Sequence, residues 1–299
     1  MFDVRLRASN AKNVSNSARF LPILRVSYLV VYNIGRFNRS SKSRACMLGV
    51  QTLGHFRTDT TTEASSSLKA APKKFFMSMR DLAFWIRSAK ADMRLSALRK
   101  NDTLQSAFDR LYAEREDPYG ASVPHFRYQR LKYQRLLALL PQRKYESALD
   151  IGCGLGAFTR EIAPFAEKVL GTDLSSTAVQ QAQKLSMEHP NIRYEQADLF
   201  KRLTETDETF DLIVMADVLY YLSPLSDEVL KQVRADVVHR LRPDGYLLLV
   251  NHSFFGIDPD SKTTRWIHDC FCWDGQLSVQ LERWHPFFLA SVLQRKSSA

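Results

Sequence analysis

Hydrophobic positions along the chain follow two patterns, divided at Pro141. Before it, apolar residues recur at helical spacing. Residues 79–98 carry Leu82, Phe84, Trp85, Ile86 and Leu95, which predict a helix whose inner face the pattern leaves open. Residues 102–113 place Leu104, Ala107, Phe108 and Leu111 three and four apart, the spacing of one buried stripe. Asp117-Pro118-Tyr119-Gly120 reads as a turn. Residues 126–140 predict a further helix with Leu131, Leu136, Leu137 and Leu140 inward, closed by Pro141.

After Pro141 short apolar runs alternate with amphipathic stretches. Strands are predicted at 147–151, 168–172, 192–196, 210–215 and 246–250, and two late β segments at 276–283 and 287–294. Helices are predicted at 157–166, from a Ser175 or Ser176 cap to about 187, at 228–241 and at 263–270. The run 210–215 is apolar except for Asp211, as expected of a strand covered on both faces. Arg242-Pro243-Asp244-Gly245 predicts a turn. This order specifies an α/β fold, a doubly wound, Rossmann-like and mostly parallel sheet preceded by N-terminal helices.

Composition changes this picture little. The chain has 299 residues, 45% hydrophobic and 25% charged, which suits a globular protein. Its net charge of +10 suggests nucleic acid or a membrane surface, but the excess is local. Residues 1–75 hold thirteen Lys/Arg and three acids, and the remainder holds equal numbers of each sign. A neutral main body argues against nucleic-acid binding by the domain. The N-terminal stretch is acid-poor and rich in Ser, Thr and Arg, with a linker-like run at 58–67. A transit peptide, a disordered extension, and a start that truly lies at Met77 or Met79 are three readings of it; the last two together are preferred. No stretch reaches the ~18 apolar residues of a membrane span. Cys46, Cys153, Cys270 and Cys272 show neither zinc spacing nor a disulfide framework, so reduced thiols and a cytoplasmic setting are expected, with no metal.

Three constellations carry chemistry. Leu149-Asp150-Ile151-Gly152-Cys153-Gly154-Leu155-Gly156 joins a predicted strand to a predicted helix, where a doubly wound sheet places its ligand crevice. Its glycines let the chain turn sharply and bring backbone against a ligand. Alone it fits either a dinucleotide or an adenosyl cofactor, because Gly152-x-Gly154-x-x-Ala157 also satisfies the dinucleotide fingerprint. Asp173, ending the second strand, can accept both ribose hydroxyls, although an acid there also caps helices. Asp198, in Gln196-Ala197-Asp198-Leu199, suits the adenine amino group, a requirement a nicotinamide enzyme does not share at this point; it also fits a plain turn.

Residues 147–250 resemble the class I S-adenosylmethionine-dependent methyltransferases. The resemblance runs through 148–156, 169–173, Ala197-Asp198-Leu199, Phe210-Asp211-Leu212-Ile213-Val214 and Leu241-Arg242-Pro243-Asp244-Gly245-Tyr246, in order and at family spacing. It implies S-adenosylmethionine as cofactor, with Asp150, Gly152, Gly154, Gly156, Asp173, Asp198 and Leu199 around it. It also implies a seven-stranded sheet ending in an antiparallel hairpin.

A narrower similarity, over roughly 105–299, is to the nodulation protein S family. It rests on Asp117-Pro118-Tyr119, the 128–137 helix with Lys132 and Tyr133, Ala216-Asp217-Val218-Leu219-Tyr220-Tyr221-Leu222, and Arg283-Trp284-His285-Pro286. Those enzymes N-methylate the free amine of a deacetylated chitin oligosaccharide, which implies an amino-sugar acceptor. The family often carries Trp where Tyr119 stands and Glu where Asp217 stands. O-methylation of another metabolite, and an NAD-dependent oxidoreductase, are the alternatives.

The resulting division is a basic extension at 1–76, a helical cap at 77–140 and a methyltransferase domain at 141–299. An amine must be neutral and in line with the methyl group to react, so Asp217 and His252, at the ends of the fourth and fifth strands, are the catalytic candidates. Tyr133, with Tyr119 and Tyr128, offers an aromatic face to a sulfonium cation or else packs as core. Tyr220 and Tyr221 line the acceptor pocket or pack, and His285 reads as strand-end structure.

Overall fold

The computed structural model describes residues 79–122, 126–205, 207–222, 225–253 and 259–297. The extension at 1–76 lies outside the described residues. Seven strands form one sheet: β1 (Tyr145–Ile151), β2 (Ala166–Asp173), β3 (Ile192–Gln196), β4 (Phe210–Ala216), β5 (Leu241–His252), β6 (Leu277–His285) and β7 (Phe288–Arg295). Their order is β3-β2-β1-β4-β5-β7-β6, with β1 to β5 parallel and β7 antiparallel to both its neighbours. The chain winds one way from β1 to β3 and the other way from β4, so the strand order reverses between β1 and β4 and opens a crevice above their C-terminal ends.

Helices cover both faces because alternate strand residues are apolar on both. On one face Leu149, Ile213, Leu247 and Leu293 pack under α6 (Leu199–Thr204), α7 (Asp227–Arg240) and α8 (Pro259–Cys272). On the other, Ala148, Val214, Leu248 and Val292 meet Leu136 of α3 (Arg127–Leu139) and Phe158 and Ile162 of α4 (Ala157–Ile162). Helix α5 (Ser176–Leu185) packs on β2 and β3. Among the described residues no helix is long and apolar enough to cross a membrane.

The cap consists of α1 (Met79–Leu98), α2 (Leu104–Glu114) and α3. Ala91, Leu95 and Leu98 of α1 bury against Ala107 and Leu111 of α2. Thr103 caps α2 by accepting from the Ser106 amide at 3.2 Å. Buried Asp81 accepts the Tyr128 amide at 2.8 Å, tying α1 to α3. Phe84 joins Phe126, Tyr128 and Phe287, so the cap also reaches the β6–β7 turn.

Several element boundaries differ from the sequence reading. The helix expected at 157–166 stops at Ile162, because Pro164 imposes a 3₁₀ turn (Ala163–Phe165), and β2 starts two residues early. The helix after Ser175 ends at Leu185. The expected 242–245 turn is a bulge inside β5: Leu241 pairs with Phe210, and pairing resumes at Leu212 with Tyr246. Asp244 there has φ 60, and a Cβ on Gly245 would sit 2.8 Å from the Arg242 carbonyl oxygen. The helix expected at 263–270 spans Pro259–Cys272. Helix α6 and the 3₁₀ turn Leu219–Tyr221 are too short to show periodicity.

Asp211, the polar exception in β4, has a structural role. Its Oδ2 accepts the Glu146 and Ser147 amides at 2.9 and 3.0 Å and pairs with Arg242 at 3.3 Å, fixing where β1 begins beside β4. Asp211→Ala is expected to lower unfolding free energy by about 1–3 kcal/mol in urea titrations. A loss below ~0.3 kcal/mol, within the scatter of surface substitutions, would contradict this role.

Candidate active site

The crevice is built from strand ends below and the cap above. After β1 the chain reverses through Gly152, Gly154 and Gly156 at φ 71, 53 and 68. The Gly152 and Cys153 amides donate to the Thr172 carbonyl at 2.8 and 2.9 Å, which holds the loop against the end of β2. Gly156 is the most constrained: a Cβ there would run into the Tyr194 ring and hydroxyl, and φ 68 disfavours any other residue. Tyr194 is fixed in turn by a 2.8 Å bond between its hydroxyl and that of Ser186.

Two acids flank this loop. Asp150 is buried beneath it and accepts the Thr159 hydroxyl at 2.6 Å. Burial pushes its carboxyl up to about 7, the Thr159 bond opposing and the Asp173 charge adding to the shift. Asp173 accepts the Gly154 amide on Oδ2 and the Ser175 amide on Oδ1, both at 2.9 Å. Burial raises its carboxyl above the ordinary value, and these two amides counter the rise. Asp109, from α2, accepts the Ser175 and Ser176 hydroxyls at 2.8 and 3.1 Å and the Thr177 amide at 3.1 Å, so the cap is pinned to the start of α5.

Asp198 follows β3 and caps α6, its Oδ1 accepting the Phe200 amide at 2.9 Å and the Lys201 amide at 3.4 Å. The cap engages one oxygen only. Leu199 begins that helix and is buried in the core. Tyr133 is stacked on Phe158 with ring centroids 5.2 Å apart; burial raises its hydroxyl well above the usual tyrosine range, with Asp150, Asp217 and Asp117 adding to the rise.

The far side of the crevice is formed by the ends of β4 and β5. Asp217 adopts φ 59 and donates its amide to the Val250 carbonyl at 2.8 Å. Its Oδ2 is ion-paired with the buried Lys132 ammonium of α3, and its Oδ1 is buried with no hydrogen-bond partner among the described residues. His252 ends β5, with its ring centroid 5.5 Å from that of Trp85 in α1. Trp85 packs in turn on Tyr128 and Phe287 at 5.1 and 5.0 Å, so His252 joins an aromatic cluster under the cap. His285 stacks on Phe288 at 4.3 Å at the β6–β7 turn.

These donors and acceptors fit an adenosyl sulfonium cofactor. The open backbone of the glycine loop suits its amino-acid end. Asp173 keeps a second lone pair on each oxygen for vicinal hydroxyls, and Asp198 Oδ2 remains for an exocyclic amine. With the sheet order, they define a class I S-adenosylmethionine-dependent methyltransferase.

Comparison with known proteins narrows the class. The family model for nodulation protein S (NodS) matches residues 103–272. The chain is 32% identical over 153 residues to nodulation protein S of Sinorhizobium fredii, covering 51% of this chain and 66% of that protein. It is 32% identical over 154 residues to that of Bradyrhizobium diazoefficiens, covering 51% and 68%. It thus spans about two thirds of each relative. In fold it is similar to the N-methyltransferase NodS from Bradyrhizobium japonicum WM9 in complex with S-adenosyl-L-homocysteine, with TM-score 0.53, 19% identity, and coverage of 71% of this chain and 99% of that one. The chain belongs to the nodulation protein S family.

The sequence reading missed Asp92. On α1 it lies between the buried positions Ala91 and Leu95, and Tyr221 donates to its Oδ1 at 3.1 Å. An acid beside an otherwise apolar stripe was the available signal. The partnership of Lys132 with Asp217, across 85 residues, had no local signature.

The buried Asp150 gives a signed pH dependence. Its carboxyl ordinarily titrates at 3.8 and in the folded chain at about 7, so the folded state binds the extra proton. Its contribution to stability is therefore present at low pH and is lost as pH rises through about 7. Asp150→Asn, which removes this charge, is expected to make the cofactor-free protein more heat-stable than wild type at pH ~8, with the difference shrinking toward pH ~5. Thermal melts showing the opposite trend would rule this out.

Proposed function

We propose that this chain transfers the methyl group of S-adenosylmethionine to a primary amine, and that the amine is the free amino group of a deacetylated chitooligosaccharide. The observation that carries the reading is Asp217. One of its oxygens is held by Lys132, and the other is a buried acceptor awaiting a donor. An amine N–H meets that need, and the bond would fix the nitrogen at the crevice end of β4. The fold is shared with the N-methyltransferase NodS, which points the same way.

The cofactor, when bound, supplies an electrophilic methyl on a positively charged sulfur. The protein's own part is placement. We assign Gly152, Gly154 and Gly156 to the methionine end, with Asp150 beneath them holding the loop through Thr159. Asp173 takes the ribose hydroxyls, and Asp198 and Leu199 take the adenine edge and face. Tyr133, beside Asp150 and Asp217, offers its ring to the sulfonium, an attraction worth about 0.5–2 kcal/mol. Asp217 and His252 hold the acceptor nitrogen, so that its lone pair lies in line with the methyl group. Alignment of this kind converts a bimolecular encounter into a positioned displacement.

Full-length protein with labelled cofactor is expected to methylate fully deacetylated chitotetraose on nitrogen and to leave the fully acetylated tetramer unlabelled. Absence of transfer to the deacetylated tetramer, with other amines methylated, would overturn the sugar assignment. Asp217→Asn is expected to lower kcat/KM for the amine by about 10²–10³-fold. Calorimetric affinity for S-adenosyl-L-homocysteine should stay within about twofold of wild type, because Asp217 lies on the acceptor side.

A further inference from the structure

The acceptor side holds a second acid, supplied by the cap. Asp92 is half-buried on α1 and is reached by Tyr221 from the 3₁₀ turn after β4. Tyr221 is fixed by Tyr220, Phe108 and Tyr119, at ring-centroid distances of 4.5, 5.3 and 6.3 Å. Tyr119 brings a buried hydroxyl close to both Asp92 and Tyr221, in a geometry that leaves it without a good hydrogen bond. Tyr119 also packs against Tyr112 of α2 and Leu155 of the glycine loop, so this cluster borders the cofactor side of the crevice. The titratable groups facing Asp92 are Tyr221, Tyr119, Tyr220, Asp217 and Asp260 of α8. Among the described residues no Lys, Arg or His side chain is ion-paired with it; its polar contact is the Tyr221 hydroxyl.

Asp92 and Asp217 therefore differ in their partners. Asp217 is committed to the buried Lys132 ammonium, which suits it to hold a ligand in place. A proton on Asp92 strands nothing and relieves its repulsion with Asp217 and Asp260. We propose that Asp92 is the base that takes the proton from the acceptor's ammonium group, while Asp217 holds the amine this leaves. This rests on the amine reading above. One N–H bond of the ammonium breaks and its electron pair stays on nitrogen as the lone pair. The proton forms an O–H bond on Asp92. The lone pair then forms the new N–C bond as the methyl–sulfur bond breaks, that bond's electron pair leaving on sulfur as neutral S-adenosyl-L-homocysteine. The product remains a methylated ammonium, and Asp92 returns its proton to solvent.

Burial pushes the Asp92 carboxyl up to about 7, against the lowering effect of the Tyr221 hydrogen bond. A base is most effective when its pKa lies near the working pH.

The test is the pH profile of kcat with deacetylated chitotetraose as acceptor, in full-length protein. Wild type is expected to lose activity below about pH 7 along a limb of one proton. Asp92→Asn should lose that limb and fall about 10²-fold at neutral pH, with S-adenosyl-L-homocysteine affinity unchanged. Tyr221→Phe removes a bond that holds the carboxyl down, so its limb should move to higher pH. Asp92→Asn retaining the wild-type limb, or Tyr221→Phe leaving the limb in place or moving it down, would overturn the proposal. A wild-type chain that methylates no amine sinks the amine reading and this assignment together.

Discussion

The ion pair between Lys132 and Asp217 is the contact on which the crevice depends. It joins the cap, through α3, to the end of β4, where the strand order has just reversed. Asp217 reaches that position only by adopting a left-handed backbone, which costs a non-glycine residue about 1–2 kcal/mol. The Val250 carbonyl and the Lys132 ammonium hold it there. Removing one partner of a buried pair leaves the other charge uncompensated, at a cost of about 3–5 kcal/mol. The cap is therefore tied to the site at the point where chemistry is proposed to occur. Asp109 at α5 and Asp92 at Tyr221 fasten the other two cap helices to neighbouring parts of the same edge.

These attachments bring acids together along the crevice, Asp150 buried and Asp92 and Asp173 partly so. Asp150, Asp173 and Asp92 are all raised above ordinary carboxylate values by burial. Each is countered by a short list of donors: Thr159, two backbone amides, or a tyrosine hydroxyl. Such a space favours cationic ligands, because a positive group repays the desolvation of the acids, and low local dielectric strengthens the attraction. A sulfonium and an ammonium are both cations. On the acceptor side the same environment favours passing the ammonium's proton to Asp92, the acid there that is not held by Lys132.

The core of the fold was readable because its signals are local. A glycine loop between an apolar strand and a helix, an acid at the end of β2 and another at the end of β3 depend on a few neighbouring residues. The doubly wound, mostly parallel character of the sheet followed from the alternation of strands and helices, while its antiparallel last hairpin followed from the resemblance to the methyltransferases. The bulge at 242–245 was legible as a turn but not as part of β5, since only pairing with Phe210 and Leu212 shows that the strand continues through it. Helix α6 was hidden because Asp198, which caps it, looked like an ordinary turn acid. The acceptor side was the least readable. Asp92 meets Tyr221 across 129 residues, and Asp109 meets Ser175 across 66, so no window of sequence contains either pair. His252 is legible only by its position at a strand end; the Trp85 ring that covers it comes from the ambiguous face of α1.

A double-mutant cycle on Lys132→Met and Asp217→Asn, read both as unfolding free energy and as kcat/KM for the deacetylated oligomer, tests the central coupling most directly. If the pair organises the crevice, the two losses overlap. The double variant should be no worse than the poorer single variant in either readout, with a coupling energy of about 1.5–3 kcal/mol in stability. Losses that simply add in stability and multiply in activity would show that Lys132 and Asp217 act independently, and that the cap is held over the site by something else.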